Sequence, residues 1–216
     1  MYRLVIFDLD GTLLNTIGDL AAAGNHALAQ MGLPQHEAAE YKHFVGNGIP
    51  KLVERMLPAG HSPQDEERAL ALFSGCYSAH KSDLTAPYSG MRELVRELGE
   101  RGVKCACNSN KAHEFSEALV RQFYGADIHE VLGAGQGFPT KPSPEGAREL
   151  MRRCGADERG TLYVGDSDVD MLTAKNAGID ACGAAWGFRG RAELERFSPK
   201  YIAEDAGDLR RVILGG

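Results

Sequence analysis

The sequence predicts an α/β fold: a Rossmann-like parallel sheet core with an inserted helical cap. Three observations predict it. Short apolar runs rich in branched residues alternate with helical stripes. The stretch from 16 to 82 breaks that alternation and reads as helix only. Acidic residues gather where two of the apolar runs end, the place where open α/β sheets bind ligands.

The first run, Arg3-Leu4-Val5-Ile6-Phe7, passes at once into Asp8-Leu9-Asp10-Gly11-Thr12, as a buried strand entering a glycine turn does. Runs at 103–107, 130–135, 161–166 and 179–186 predict four more strands. Met91, Leu94, Val95 and Leu98 recur at helical spacing before Gly102, and Phe115, Leu119 and Phe123 before Gly125. Ala147, Leu150, Met151 and Cys154 follow Ser143 and Pro144, a helix cap and a first helical residue. Ala174 and Ala177 lead to a glycine stop at Gly178. Strands alternating with helices imply a parallel sheet covered on both faces.

Within 16–82, Ile17, Leu20, Ala21, Leu28 and Met31 form one stripe, and Leu52, Val53, Met56 and Leu57 a second. Ala69, Leu72, Phe73, Cys76, Tyr77 and His80 form the cleanest. Helices this short are not stable alone, so they are expected to pack as a bundle. The expected division is a core of 1–15 and 83–216 and a cap of 16–82, with junctions at Asn15–Ile17 and Ser82–Pro87.

Composition narrows the function. Of 216 residues, 43% are hydrophobic and 25% charged, which excludes a disordered chain. A net charge of −6 with no basic stripe argues against nucleic acid, and no apolar run is long enough to span a membrane. The opening Met1–Asp10 lacks the long apolar core of a secretory signal, so a cytoplasmic protein is expected, as a monomer or homodimer. Five scattered cysteines show no zinc spacing; Cys105 and Cys107, two apart on a strand, read as reduced core residues.

Asp8 and Asp10, two apart at a strand end, share a face, and their mutual repulsion is what a hard cation such as Mg²⁺ removes. Gly11 permits the turn and Thr12 offers a hydroxyl. Asp166, Ser167, Asp168 and Asp170 make a second acidic cluster at another strand end, so a shared divalent metal explains both clusters. Ser109, Asn110 and Lys141 are donors suited to a phosphoryl group, and prolines flanking the Lys141 loop reduce the entropy it loses on binding. Lys111, at an expected helix start, is balanced between a phosphate contact and a solvated lysine. In the cap, Gly46-Asn47-Gly48 allows a tight loop whose N–H groups approach a carboxylate or phosphate.

The order of these motifs resembles the haloacid dehalogenase superfamily. Asp8-Leu9-Asp10-Gly11-Thr12-Leu13 matches its first phosphatase motif, Ser109 the second, Lys141 in Lys-Pro-Ser-Pro the third, and Gly165–Asp170 the fourth. The nearest type is the phosphoglycolate phosphatases, which carry a helical cap after the first motif and a segment like Phe44-Val45-Gly46-Asn47-Gly48. Ser109-Asn110-Lys111 stands where they have Thr-Asn-Lys, and Asn15 where they often have Asp. The resemblance implies a Mg²⁺-dependent phosphomonoester hydrolase for small phosphorylated metabolites. Asp8 would be the nucleophile that becomes an aspartyl-phosphate, and Asp10 the general acid and base. Mg²⁺ would be held by Asp8, the Asp10 carbonyl and Asp166, with Asp170 supporting the metal's waters or orienting Lys141. Ser109 and Lys141 would grip the phosphoryl oxygens.

Two rivals are a sugar phosphomutase of the β-phosphoglucomutase type and a binding protein on a dead scaffold. The intact set Asp8, Asp10, Lys141 and Asp166 argues against the second. Gly133–Gly137 lacks the spacing of a dinucleotide loop, and the histidines lack metal spacing. Trp186-Gly187-Phe188-Arg189 reads as core packing followed by a surface arginine, with shaping of the pocket as the lesser alternative.

Overall fold

The computed structural model describes residues 2–215. Strand β1 (Leu4–Phe7) leads into a turn and a two-residue strand β2 (Leu14–Asn15). Four helices follow: α1 (Ile17–Gln30), α2 (Ala38–Phe44), α3 (Ile49–Met56) and α4 (Pro63–His80). The chain returns through β3 (Ala86–Pro87) and continues as α5 (Met91–Glu100), β4 (Lys104–Ala112), α6 (His113–Tyr124) and β5 (Glu130–Ala134). It ends with α7 (Glu145–Cys154), β6 (Thr161–Gly165), α8 (Asp168–Ala177), β7 (Asp180–Ala184), α9 (Arg191–Glu195), β8 (Tyr201–Ala203) and α10 (Ala206–Leu214).

Six strands form one parallel sheet in the order β5-β4-β1-β6-β7-β8. The fold is the expected Rossmann-like α/β core. Side chains alternate across it as the pleat requires. Val5, Phe7, Cys105 and Cys107 pack on one face against Leu94, Leu98, Leu119, Leu209 and Ile213. Leu4, Ile6, Ala106 and Tyr163 pack on the other against Leu150, Met151 and Ala174. Both strand cysteines therefore lie on one face, and all five cysteines are free thiols. Burial in the apolar core pushes the Cys105 thiol up to about 12, so it stays protonated and inert.

Besides the two-residue strands β2 and β3, four elements have no pattern in the sequence that predicts them. Strand β8 has only three residues beside polar neighbours, and α9 has five. Helix α2 buries only Tyr41, too little for a period to show. Helix α10, which places Leu209 and Ile213 in the core, occupies a region where no pattern was read.

The four helices of 17–80 carry their own hydrophobic cluster, in which α1 and α4 contribute Leu20, Ala27, Leu28, Ala69, Phe73 and Tyr77. Both connections to the sheet run side by side. Leu14 pairs with Pro87 and Asn15 with Ala86 in a two-stranded antiparallel ribbon. Just above it the buried Asp19 carboxylate accepts hydrogen bonds from Leu84 N (2.9 Å), Thr85 N (2.8 Å) and Thr85 Oγ1 (2.6 Å). The return chain is thus tied to α1 before it reaches the ribbon. Among the described residues no helix is long and apolar enough to cross a membrane.

Candidate active site

Because all six strands are parallel, β1, β4, β6 and β7 end on one rim. Asp8 follows β1, Ser109–Lys111 form the end of β4, and Asp166 follows β6. Lys141 reaches the rim from the loop between β5 and α7.

The central group is Lys141. Its Nζ lies 2.7 Å from Asp8 Oδ1 and 2.7 Å from Asp170 Oδ1. Asp170 spends its other oxygen on the start of α8, accepting from Ser167 Oγ at 2.6 Å and Ser167 N at 3.1 Å. Helix capping and lysine orientation are therefore both done by this one carboxylate. Asp166 accepts from Phe188 N at 2.7 Å.

Ligand oxygens of Asp8, Asp166 and Asp170 all lie within 4.8 Å of one another, and all three residues are buried. Burial pushes Asp8 up to about 7, with Asp170 adding to the shift and Lys141 opposing it. Burial, then Asp170 and Asp8, holds Asp166 well above the ordinary carboxylate range. Burial disfavours the Lys141 ammonium too, but Asp170 and Asp8 outweigh it and keep the lysine charged. Three carboxylates thus share one ammonium, a surplus of negative charge on hard oxygen donors. That donor set fits Mg²⁺, which is bound by few carboxylates and keeps several waters. Gly11 leaves the room: at φ +87°, a Cβ there would run into the Asp166 carboxylate.

Asp10 stands apart from this cluster. Its Oδ1 accepts from Thr16 Oγ1 at 2.7 Å and its Oδ2 pairs with Lys111 Nζ at 2.9 Å. Lys111 is buried and its ammonium also lies 4.9 Å above the ring of Tyr77 from α4. Burial disfavours the Lys111 ammonium, but Asp10 and Tyr77 together outweigh it and raise its pKa. Lys111 is on the strand, not at a helix start, so it shares a face with Ser109 two residues earlier. That spacing was the signal available for it.

Asp8, Asp10, Ser109, Asn110, Lys111, Lys141 and Asp166 line one cavity of about 30 Å³, which Leu20, Val45, Gly46, Gly48, Ile49 and Leu52 cover from the helical segment. Two expected contacts are not made. Thr12 is fully buried, its hydroxyl unpartnered, and it does not line the cavity. Asn47 turns outward, where its Oδ1 accepts from Arg55 Nη2 at 2.7 Å. Asn110 is a crosspiece more than a free donor. Its Oδ1 accepts from Lys141 N at 2.8 Å, and its Nδ2 donates to Lys141 O at 3.1 Å and Gly46 O at 3.0 Å. Phe188 and Arg189, read in the sequence as packing and surface, line the cavity. The signal for them was topological: β7 ends on the same rim beside β6.

Comparison with known proteins agrees with this geometry. The profile of the haloacid dehalogenase-like hydrolases matches residues 5–184. A Pseudomonas putida protein named phosphoglycolate phosphatase is 36% identical over 99% of this chain and 79% of its own length. One of the same name from Vibrio cholerae is 31% identical over 98% and 97%. A solved structure from Lactobacillus delbrueckii, provisionally named a phosphoglycolate phosphatase, superposes with a TM-score of 0.95 at 30% identity, covering 100% of this chain and 99% of that one. With the four motifs gathered on one rim, the chain belongs to the haloacid dehalogenase-like hydrolase family, and within it to the phosphatases.

Proposed function

We propose that this phosphatase is a Mg²⁺-dependent phosphomonoester hydrolase of the phosphoglycolate phosphatase type, acting through an aspartyl-phosphate on Asp8. The observation that carries the reading is the position of Asp8, which accepts from Lys141 within 4.8 Å of Asp166 at the floor of a small cavity. In this reading 1–15 and 83–216 are the catalytic core and 16–82 a cap that moves on the ribbon of β2 and β3.

Asp8 and Asp166, with the Asp10 backbone carbonyl, would hold Mg²⁺, which supplies charge neutralisation between nucleophile and phosphate. A carboxylate oxygen of Asp8 attacks phosphorus as the bond to the ester oxygen breaks. The Asp10 carboxyl gives its proton to that oxygen, and then takes one from the water that attacks the phosphoenzyme. Thr16 and Lys111 engage both Asp10 oxygens in this structure, so Asp10 leaves the Lys111 pair to take part in either proton transfer. Ser109 and Lys141 hold the phosphoryl oxygens as charge shifts among them. Asp170, both oxygens engaged, anchors Lys141 rather than the metal. Substrate size is limited by the covering residues, and the names of the relatives favour phosphoglycolate, a phosphate on a short organic acid.

Release of inorganic phosphate from a panel of phosphomonoesters, with Mg²⁺ and with chelator, tests the reading. Hydrolysis of small phosphorylated acids that stops in chelator and returns with Mg²⁺ supports it. Full activity in chelator contradicts it.

A further inference from the structure

Four consecutive residues after β7 each hold a different part of the site. Trp186 Nε1 donates to Thr12 O at 3.1 Å, in the turn after β1. Gly187 lies so close to Asp166 and Gly11 that a Cβ there would overlap both. Phe188 N donates to Asp166 Oδ2 at 2.7 Å. Arg189 then leaves the core for the cap. Its Nη2 donates to Val45 O at 3.0 Å, its Nη1 lies 3.3 Å from His43 Nδ1, and its Nε is 3.6 Å from Glu193.

Val45 is the C-cap of α2, where carbonyls lack partners within the helix and the helix end carries partial negative charge. A guanidinium is the natural donor there. It finds this acceptor only with the cap against the core, because Arg189 and Val45 belong to opposite sides of the cavity. The Arg189 side chain is 14% exposed and its bond to Val45 is part-buried.

We propose that Trp186–Arg189 is a strap that couples closure of the cap to the catalytic carboxylates, with Arg189 as the positioning residue that latches it. A backbone shift of one residue links the Asp166 acceptor of Phe188 to the Val45 acceptor of Arg189. Seating the cap therefore draws the Phe188 N–H onto Asp166, and lifting it frees both. Its kinetic consequences rest on the phosphatase reading; the coupling itself does not.

The test is amide hydrogen exchange on the full chain, wild type against Arg189→Met, with Arg189→Lys as rescue and Glu193→Gln as control. Losing a charged hydrogen bond of this kind predicts exchange faster by about tenfold in Arg189→Met. The acceleration should reach both 44–48 and 186–189, and Arg189→Lys should return part of the protection. Glu193→Gln should leave both segments unchanged. For turnover, Arg189→Met should lower kcat/KM for phosphoglycolate about tenfold and that for an activated aryl phosphate much less, since the latter depends less on closure. Acceleration confined to 186–195, with 44–48 as in the wild type, would overturn the coupling and leave Arg189 a fastener of α9. A wild type inert on every phosphomonoester would instead defeat the phosphatase reading, while the exchange comparison still decides the strap.

Discussion

The rim of the core and the loop of the cap face each other across one cavity, and they are held by different forces. On the rim, buried charges pair with buried charges: Lys141 with Asp8 and Asp170, and Lys111 with Asp10. At the cap loop, neutral carbonyls of Val45 and Gly46 accept from Arg189 and Asn110. Charge pairs removed from water are costly to break, whereas a hydrogen bond to a carbonyl contributes on the order of 1 kcal/mol net. On the proposed reading of 16–82 as a moving cap, the rim keeps its geometry while the cap loop lets go of it. A phosphatase needs both, since phosphoryl transfer requires a preorganised charge pattern and turnover requires an exit.

Substitutions on the two sides should separate accordingly. Asp8→Asn should leave far-UV circular dichroism unchanged and reduce turnover by at least ~10⁴, about 5.5 kcal/mol of barrier. Hydrolysis near the wild-type rate, with deamidation excluded, would remove Asp8 as nucleophile. Lys141→Met keeps the volume and strands the buried carboxylates of Asp8 and Asp170, so urea unfolding should show a loss of about 3–5 kcal/mol. A loss under about 1 kcal/mol would mean that the rim is not held by its charges.

Between rim and loop lies the ribbon of β2 and β3 with the Asp19 tie above it. Asp19→Ala leaves Leu84 N, Thr85 N and the Thr85 hydroxyl without their buried acceptor, so stability should fall by about 2–3 kcal/mol. Unchanged stability would show that the tie between α1 and the return chain is dispensable. On the cap loop itself, Asn47→Ala should change stability by less than about 0.5 kcal/mol, as for a surface side chain, and kcat/KM by less than twofold. A larger loss of kcat/KM would put Asn47 back into substrate binding.

The same contrast explains what the sequence made legible. Charged and polar residues in motifs near the rim announce themselves by type and spacing, so Asp8, Asp10, Ser109, Lys141, Asp166 and Asp170 could be read as candidates. Residues that act on backbone carbonyls leave no such mark, because any residue supplies the acceptor. Arg189 passed as surface and Asn110 as a substrate donor for that reason. Thr12 and Asn47 sit inside good motifs, yet one turns into the core and the other toward Arg55, a choice made by local packing. The sheet was legible where β1, β5, β6 and β7 run apolar, glycine included, for four residues or more and where Val103 precedes Cys105–Cys107 of β4, whereas the three residues of β8 stand between Lys200 and Glu204.

The central claim is that Asp8 carries the phosphoryl group between the two half-reactions. Asp10→Asn keeps a side chain of the same size but can neither protonate a leaving oxygen nor take the proton from water, so with an activated aryl phosphate, whose leaving oxygen needs no proton, the phosphoenzyme should form and accumulate. Rapid quenching in acid after mixing with that aryl phosphate and Mg²⁺, borohydride reduction and peptide mass spectrometry read the site directly. Reduction of an aspartyl-phosphate yields homoserine, and the account predicts it at position 8 and at no other aspartate. Active wild-type enzyme whose Asp10→Asn variant, shown to bind Mg²⁺, carries no reducible acyl phosphate at Asp8 would contradict the covalent route.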